Sequence, residues 1–175
     1  VPILNLDLTT AVGQAAVLKL LSDPDLIYVH LGPPCGTFSR ARDIPIAEWK
    51  IKAGCPQVFP LRNYDNIEGF PKDQLNEVDA IKVEKGNIIA NFCATIAKIC
   101  NQKNIFWTLE NPTNSYIWAM PEMEKLAKLA TVNSIEFESC MWGGSRPKKT
   151  SLLPNCESME VLRGKCDKKH KHSSW

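Results

Sequence analysis

Residues 26–35 read LIYVHLGPPC. The first seven form a short apolar run bounded by Asp25 and Gly32, as expected of a strand buried on both faces. A second run of this kind, NIFWTL at 104–109, ends on Glu110-Asn111-Pro112. Helical spacing of Ala11, Ala15, Val17, Leu18 and Leu21 predicts a helix over 10–22, stopped by Asp23-Pro24. Another helical pattern runs from Gln74 to about residue 101, and its second half is apolar on most faces, as in a helix buried against a sheet. Pro121 suits the first turn of a helix over 121–130. Strands are expected at about 132–139 and at 150–153, and segment 2–8 (PILNLDL) is β-compatible. The order β-α-β-loop-α-β-α-β predicts an α/β fold: a mostly parallel sheet with helices on both faces.

Residues 33–76 interrupt this alternation. They hold six of the twelve prolines together with Gly36, Gly54 and Gly69. Irregular stretches of this length inside a compact domain are functional or disordered.

The 175 residues suffice for one domain with a core, and 44% hydrophobic against 23% charged residues is an ordinary globular balance. Five Trp, six Phe and three Tyr exclude a wholly disordered chain. No apolar run reaches the ~18 residues that a membrane helix needs, and no basic-then-apolar opening marks a secretory signal. The chain opens on Val1 rather than Met, as expected of a fragment or a processed product. Seven cysteines, an odd number without a secretory signal, read as reduced thiols serving in packing, ligation or nucleophilic attack. The formal charge of +2 hides an asymmetry, because residues 146–175 carry eight Lys/Arg against three acidic residues. A basic end of this kind suits a polyanionic partner or a solvated tail.

Ligands of open α/β sheets bind beyond the carboxyl ends of the strands. Gly32-Pro33-Pro34-Cys35 and Leu109-Glu110-Asn111-Pro112 lie there, each setting a reactive side chain beside a proline that fixes φ. If the two strands are neighbours, Cys35 and Glu110 share one crevice. The histidines stand at 30, 170 and 172, away from these turns. A thiol beside a carboxyl group, without a catalytic His, is a poor hydrolase constellation. It suits addition of sulfur to an electron-poor ring while the carboxyl group manages a ring nitrogen. Each residue also has a plainer reading: Cys35 as a turn thiol, Glu110 as a helix cap, Asp7 as the N-cap of helix 10–22, and Ser39, Arg40 and Arg42 as ordinary loop residues.

GPPCGTFSRAR (32–42) and ENP (110–112) resemble the nucleophile and Glu-Asn motifs of the cytosine-C5 DNA methyltransferases. WGGSRPKKTSLL (142–153) resembles the family's basic segment before a late strand, and the likeness is greatest to divergent, mobile-element-type members. It extends from Asp7 to about Leu153, so 1–153 is expected to be a partial catalytic domain and 154–175 a basic Cys/His tail. The resemblance implies a Rossmann-like methyltransferase fold that uses S-adenosylmethionine. It implies Cys35 as nucleophile, Glu110 and Asn111 gripping the target cytosine, and Asp7, Pro33 and Pro34 against the cofactor. Ser39, Arg40, Arg42, Arg146, Lys148 and Lys149 would face nucleic acid, DNA first and RNA as a variant. A DNA substrate implies a nuclear or nucleoid location, and no membrane partner is expected.

The sequence departs from the family in three places. The glycine-rich cofactor loop is absent, so the first cofactor-binding unit is expected to be missing and cofactor binding weak. The loop between the two motifs is long. Nothing after Leu153 has the length of a target-recognition domain, and 146–149 departs from the usual Gln-x-Arg-x-Arg pattern. A rival reading is therefore a nucleic-acid-binding module of a mobile element that keeps the fold without catalysis. An amino-methyltransferase would be expected to place an aromatic where Cys35 stands. In the tail, Cys156, Cys166, His170 and His172 are zinc-ligand types, but their spacing matches no standard finger. No metal is therefore expected and a basic, partly disordered end is preferred, with zinc on these four as the alternative. Cys55, Cys93, Cys100 and Cys140 read as packing residues.

Overall fold

The computed structural model describes residues 3–129 and 134–173. The elements are α1 (Ala11–Leu20), β1 (Tyr28–Leu31), α2 (Glu48–Lys52), α3 (Glu77–Gln102), β2 (Phe106–Pro112), α4 (Pro121–Leu129), β3 (Ile135–Glu138) and β4 (Lys149–Pro154). The fold is mixed α/β, around one four-stranded sheet of order β1-β2-β4-β3.

The expectation of a mostly parallel sheet needs correction. β1 and β2 run parallel, joined by the long crossover that α3 completes, but β4 is antiparallel to both β2 and β3. The reason lies in the connection. Only ten residues separate β3 from β4, enough for a tight reversal at Ser139–Trp142 and too few for a crossover helix. Among the described residues, α-helices are not found on both faces either. α1, α3 and α4 gather in one core with Trp107, Leu109 and Leu153. Strand alternation sends Thr108 and Glu110 to the opposite face, where Tyr28 and His30 are exposed and the short turn Glu157–Leu162 packs on β3.

The expected N-terminal strand is absent among the described residues of 2–8. The Asp7 carboxylate bends the chain instead, its Oδ1 accepting from Thr9 N (2.9 Å) and Thr9 Oγ1 (2.6 Å). Thr10, not Asp7, then caps α1, its Oγ1 accepting from Gly13 N at 3.1 Å. Gly13 is required here: a Cβ on it would lie 2.0 Å from Asp7 O. The helix expected from Gln74 starts at Glu77, because Asn76 caps it by accepting from Asp79 N at 2.8 Å. Its inner stripe, Val83, Gly86, Ala90, Phe92 to Ala94, Ile96, Ala97 and Cys100, is buried. The expected residues 132 and 133 of the third strand, and residue 130 of the helix before it, lie outside the described residues.

α4 is fastened to α3 by Glu122, which accepts hydrogen bonds from Lys98 and Lys125. Those two bonds, Lys125 first, pull the Glu122 carboxyl from 4.5 down to about 2. A carboxyl depressed on folding stabilises fully above its ordinary value and loses that contribution as pH falls through the depressed one. The difference in melting temperature between the chain and Glu122→Gln should therefore be constant above pH 4.5 and close as pH falls towards 2. Thermal melts across that range check this.

Candidate active site

β1 and β2 pair so that His30 lies opposite Thr108 and Leu31 opposite Leu109. In parallel strands this register brings both C-terminal exits to the same end of the sheet. The Pro33-Pro34-Cys35 segment therefore leaves β1 beside the last residues of β2, Glu110-Asn111-Pro112, which were expected to follow the strand but belong to it, paired with β4. They are also joined directly. Asn111 is buried, and its Nδ2 donates to Pro33 O at 2.9 Å. Its Oδ1 is a buried acceptor without a hydrogen-bond partner, the one such side-chain atom among the described residues.

Cys35 is half-buried and opens a tight turn in which Phe38 N donates to Cys35 O at 2.9 Å. Phe38 is fully buried, and Tyr116 N donates to Phe38 O at 2.9 Å. Above the Phe38 ring lies Arg62, its guanidinium carbon 3.8 Å from the ring centroid. Arg62 is buried and donates to Thr37 O (3.0 Å), Thr37 Oγ1 (3.0 Å), Ile67 O (2.8 Å) and Asn87 Oδ1 (2.9 Å). Desolvation lowers its pKa from 12.5 to about 10, so it stays charged at neutral pH, held by uncharged acceptors. α3 approaches this cluster at Gly86, where a Cβ would sit 2.7 Å from Thr37 Oγ1. The 33–76 stretch is thus built around one buried cation, and it includes α2 and two short 3-10 turns.

Glu110 is half-buried, and its Oε1 accepts from Lys148 Nζ at 3.1 Å. Lys148 thus meets the site's carboxylate. Lys149 is exposed, in a hollow of about 370 Å³ shared with Glu136, Glu138 and Arg163. Arg146 accepts through its carbonyl from Ser139 Oγ (2.9 Å) and Lys148 N (2.9 Å).

The loop residues expected to face nucleic acid have intramolecular duties. Ser39 Oγ accepts from Ala41 N at 3.2 Å, capping the turn Arg40–Asp43. Arg40 pairs with Asp43 at 3.3 Å and lies over the rings of Tyr64 and Tyr116. Arg42 donates to Gly36 O (3.0 Å) and Phe59 O (3.1 Å), bracing the loop from inside. Arg42 also edges a hollow of about 280 Å³ with Pro34, Thr37, Lys82 and Lys85, a cationic recess next to Cys35.

On the other side of the proline turn, Asp7, His30, Pro33, Pro34, Ile89 and Cys93 line a groove of about 420 Å³, a size that suits a small-molecule ligand. Hydrogen bonds from Thr9, the hydroxyl first, hold the Asp7 carboxyl below its usual range. Burial pushes the Cys93 thiol up to about 12, and Cys100 also upward, as expected of inert packing thiols. Cys55 does not follow that expectation, because it is exposed.

The described residues of the tail are hydrogen-bonded to β3 and to the corner after it, unlike the basic, partly disordered end expected. Glu138 N donates to Gly164 O (3.0 Å), Trp142 Nε1 to Leu162 O (3.1 Å) and Ser173 N to Ser145 O (2.9 Å). Of the four groups in the zinc alternative, three lie together and a different cysteine completes the set. Cys140, not Cys156, joins Cys166, His170 and His172. Cys156 instead contacts Ser158 Oγ at 2.8 Å. Arg62 and Cys140 escaped the sequence reading. A lone Arg in a proline-rich loop carries no pattern, and Cys140 reads as an apolar residue at a strand end.

Comparison with protein-family profiles, with curated proteins and with solved structures found no match to this chain. Among the described residues no helix is long and apolar enough to cross a membrane.

Proposed function

We propose that this chain carries the base-activating site of a DNA cytosine-C5 methyltransferase. The observation that carries the reading is the hydrogen bond from Asn111 Nδ2 to Pro33 O. It ties the Pro-Pro-Cys segment after β1 to the Glu-Asn-Pro end of β2, in two register-matched parallel strands. Cys35 follows the exit of β1, and Glu110 stands near the C-terminal end of the neighbouring β2, so the two lie at the same end of the sheet.

The Cys35 thiolate adds to C6 of cytosine, and the electrons of the C5–C6 double bond move to make C5 nucleophilic. Glu110 hydrogen-bonds N3 and the exocyclic amine and so stabilises the charge that builds on the ring. After C5 has taken its new substituent, loss of the C5 proton expels Cys35 and restores the aromatic ring. Asn111 acts on the turn and is a positioning residue. A stacked base cannot be reached this way, so the cytosine is flipped out or single-stranded.

The groove of Asp7, Pro33 and Pro34 fits S-adenosylmethionine in two respects. It has apolar walls in Leu31, Ile89 and Ile96, and a carboxylate at its rim. Bound there, S-adenosylmethionine would supply the methyl group. The recess of Arg42, Lys82 and Lys85 supports a phosphate contact beside Cys35.

Addition at C6 makes C5 exchange its proton with water even without a methyl donor. DNA tritiated at cytosine C5 should therefore release tritium in the presence of the chain, and Cys35→Ala should abolish the release. The same measurement on RNA discriminates the two polymers. The ion pair between Lys148 and Glu110 favours a second reading, a nucleic-acid-binding module without catalysis. DNA binding without tritium release, by a chain of intact circular dichroism, would establish that second reading and overturn the first.

A further inference from the structure

We propose that Cys140, Cys166, His170 and His172 form a four-coordinate structural zinc site that fastens the C-terminal segment to the corner after β3. The argument is independent of the catalytic reading. One ligand atom from each residue lies within 4.8 Å of all the others. Tetrahedral zinc, with bonds of about 2.0–2.3 Å, sets its ligand atoms roughly 3.3–3.8 Å apart. Cys166 Sγ lies 3.4 Å from His172 Nε2 and 3.7 Å from His170 Nε2, inside that window.

The surroundings are those that a metal-bound thiolate and imidazole need. Lys168 N donates to Cys166 Sγ at 3.3 Å, and Lys168 itself takes a left-handed φ of 59°. That conformation is uncommon for a lysine and curls the backbone around the sulfur. Asp167 Oδ1 lies 3.3 Å from His170 Nδ1. The carboxylate thereby fixes the tautomer in which Nε2 carries the lone pair and faces Cys166. Cys140, the fourth ligand, comes from 26 residues upstream and is buried. Two thiolates and two imidazoles, with no carboxylate and no open position, select a borderline-soft cation in a closed site.

The chain purified under reducing conditions should contain one zinc per molecule by elemental mass spectrometry. Cys140→Ser and His172→Ala should each bring it close to zero, while Cys156→Ser should keep it at one. His170→Cys, which offers three thiolates and one imidazole, should also retain one zinc, separating ligand loss from a general failure to fold. Cobalt(II) in place of zinc should show intense tetrahedral d–d absorption with thiolate charge transfer. That charge transfer should rise by about half in His170→Cys, which offers three thiolates in place of two. Zinc well below one per chain after reconstitution under reductant would overturn the proposal. So would metal loss in Cys156→Ser with retention in Cys140→Ser. A reduced sample that still lacks two hydrogens of mass and binds no zinc would reveal a Cys140–Cys166 disulfide and overturn it equally.

Discussion

Arg62→Ala is expected to lower folding stability by about 3–5 kcal/mol, the largest loss of any single side chain in the 33–76 loop. Four hydrogen bonds vanish together, and the carbonyl oxygens of Thr37 and Ile67 lose a donor in a part-buried setting. Each stranded acceptor costs about 1–3 kcal/mol. Against this stands the relief of desolvating a cation whose pKa burial has lowered from 12.5 to about 10, roughly 3 kcal/mol by the usual conversion. The deletion still loses, because the acceptors, the Phe38 stack and the space of a long side chain all go at once. Arg62→Lys should recover less than half of the loss, since one ammonium cannot span Thr37, Ile67 and Asn87 in a fork. Urea titration measures the change. Limited proteolysis should find the new cut sites between residues 36 and 70, with α3 intact. A loss under 1 kcal/mol would refute the view that the loop is built on this cation.

Glu110→Gln should slow C5 proton exchange by about 100- to 1,000-fold, the range typical of removing one group that stabilises developing charge. Lys148 touches that carboxylate from a partly exposed position. Exposed ion pairs contribute at most about 1 kcal/mol, so Lys148→Met should slow exchange by no more than about fivefold. The double variant is the sharper measurement. If Lys148 acts only by orienting Glu110, Glu110→Gln/Lys148→Met should exchange no slower than Glu110→Gln alone. Multiplying the two separate effects would show that Lys148 touches the nucleic acid in its own right.

The strands β1 and β2 and the helices α1, α3 and α4 were legible because each carries a periodic signal or an apolar run. Yet β1 is not buried on both faces as expected: it is an edge strand with Tyr28 and His30 exposed. The condition set for Cys35 and Glu110 is met as far as the strands go: β1 and β2 are parallel neighbours and run towards the same end of the sheet. The direction of β4 was not legible. Thr150 to Leu153 read as a strand either way, and only the short reversal through Ser139–Trp142 decides its sense. Asp7 looked like a strand-end acid because Ile3, Leu4 and Leu6 are apolar, yet the bend is set by a local Asx turn that hydropathy does not register. The arginines at 40 and 42 looked like free cations on a loop. Asp43, the Tyr64 and Tyr116 rings and two backbone carbonyls claim them, and these contacts span up to 76 residues. Cys140 stayed hidden for the same reason: its companions are distant in sequence and nothing local marks it.

The corner after β3 faces two ways. Cys140 points into the thiol-imidazole cluster, while its neighbour Ser139 donates from its backbone N to Lys148 O at 3.0 Å and from its hydroxyl to Arg146 O. Lys148 then reaches Glu110. Three short links therefore run from the Cys140 thiol to the Glu110 carboxylate. Local opening in proteins follows such connected units rather than single residues. The corner, the tail and the lysine over Glu110 are accordingly joined by short contacts, and a local opening that freed the corner would also free the partner of the Glu110 carboxylate.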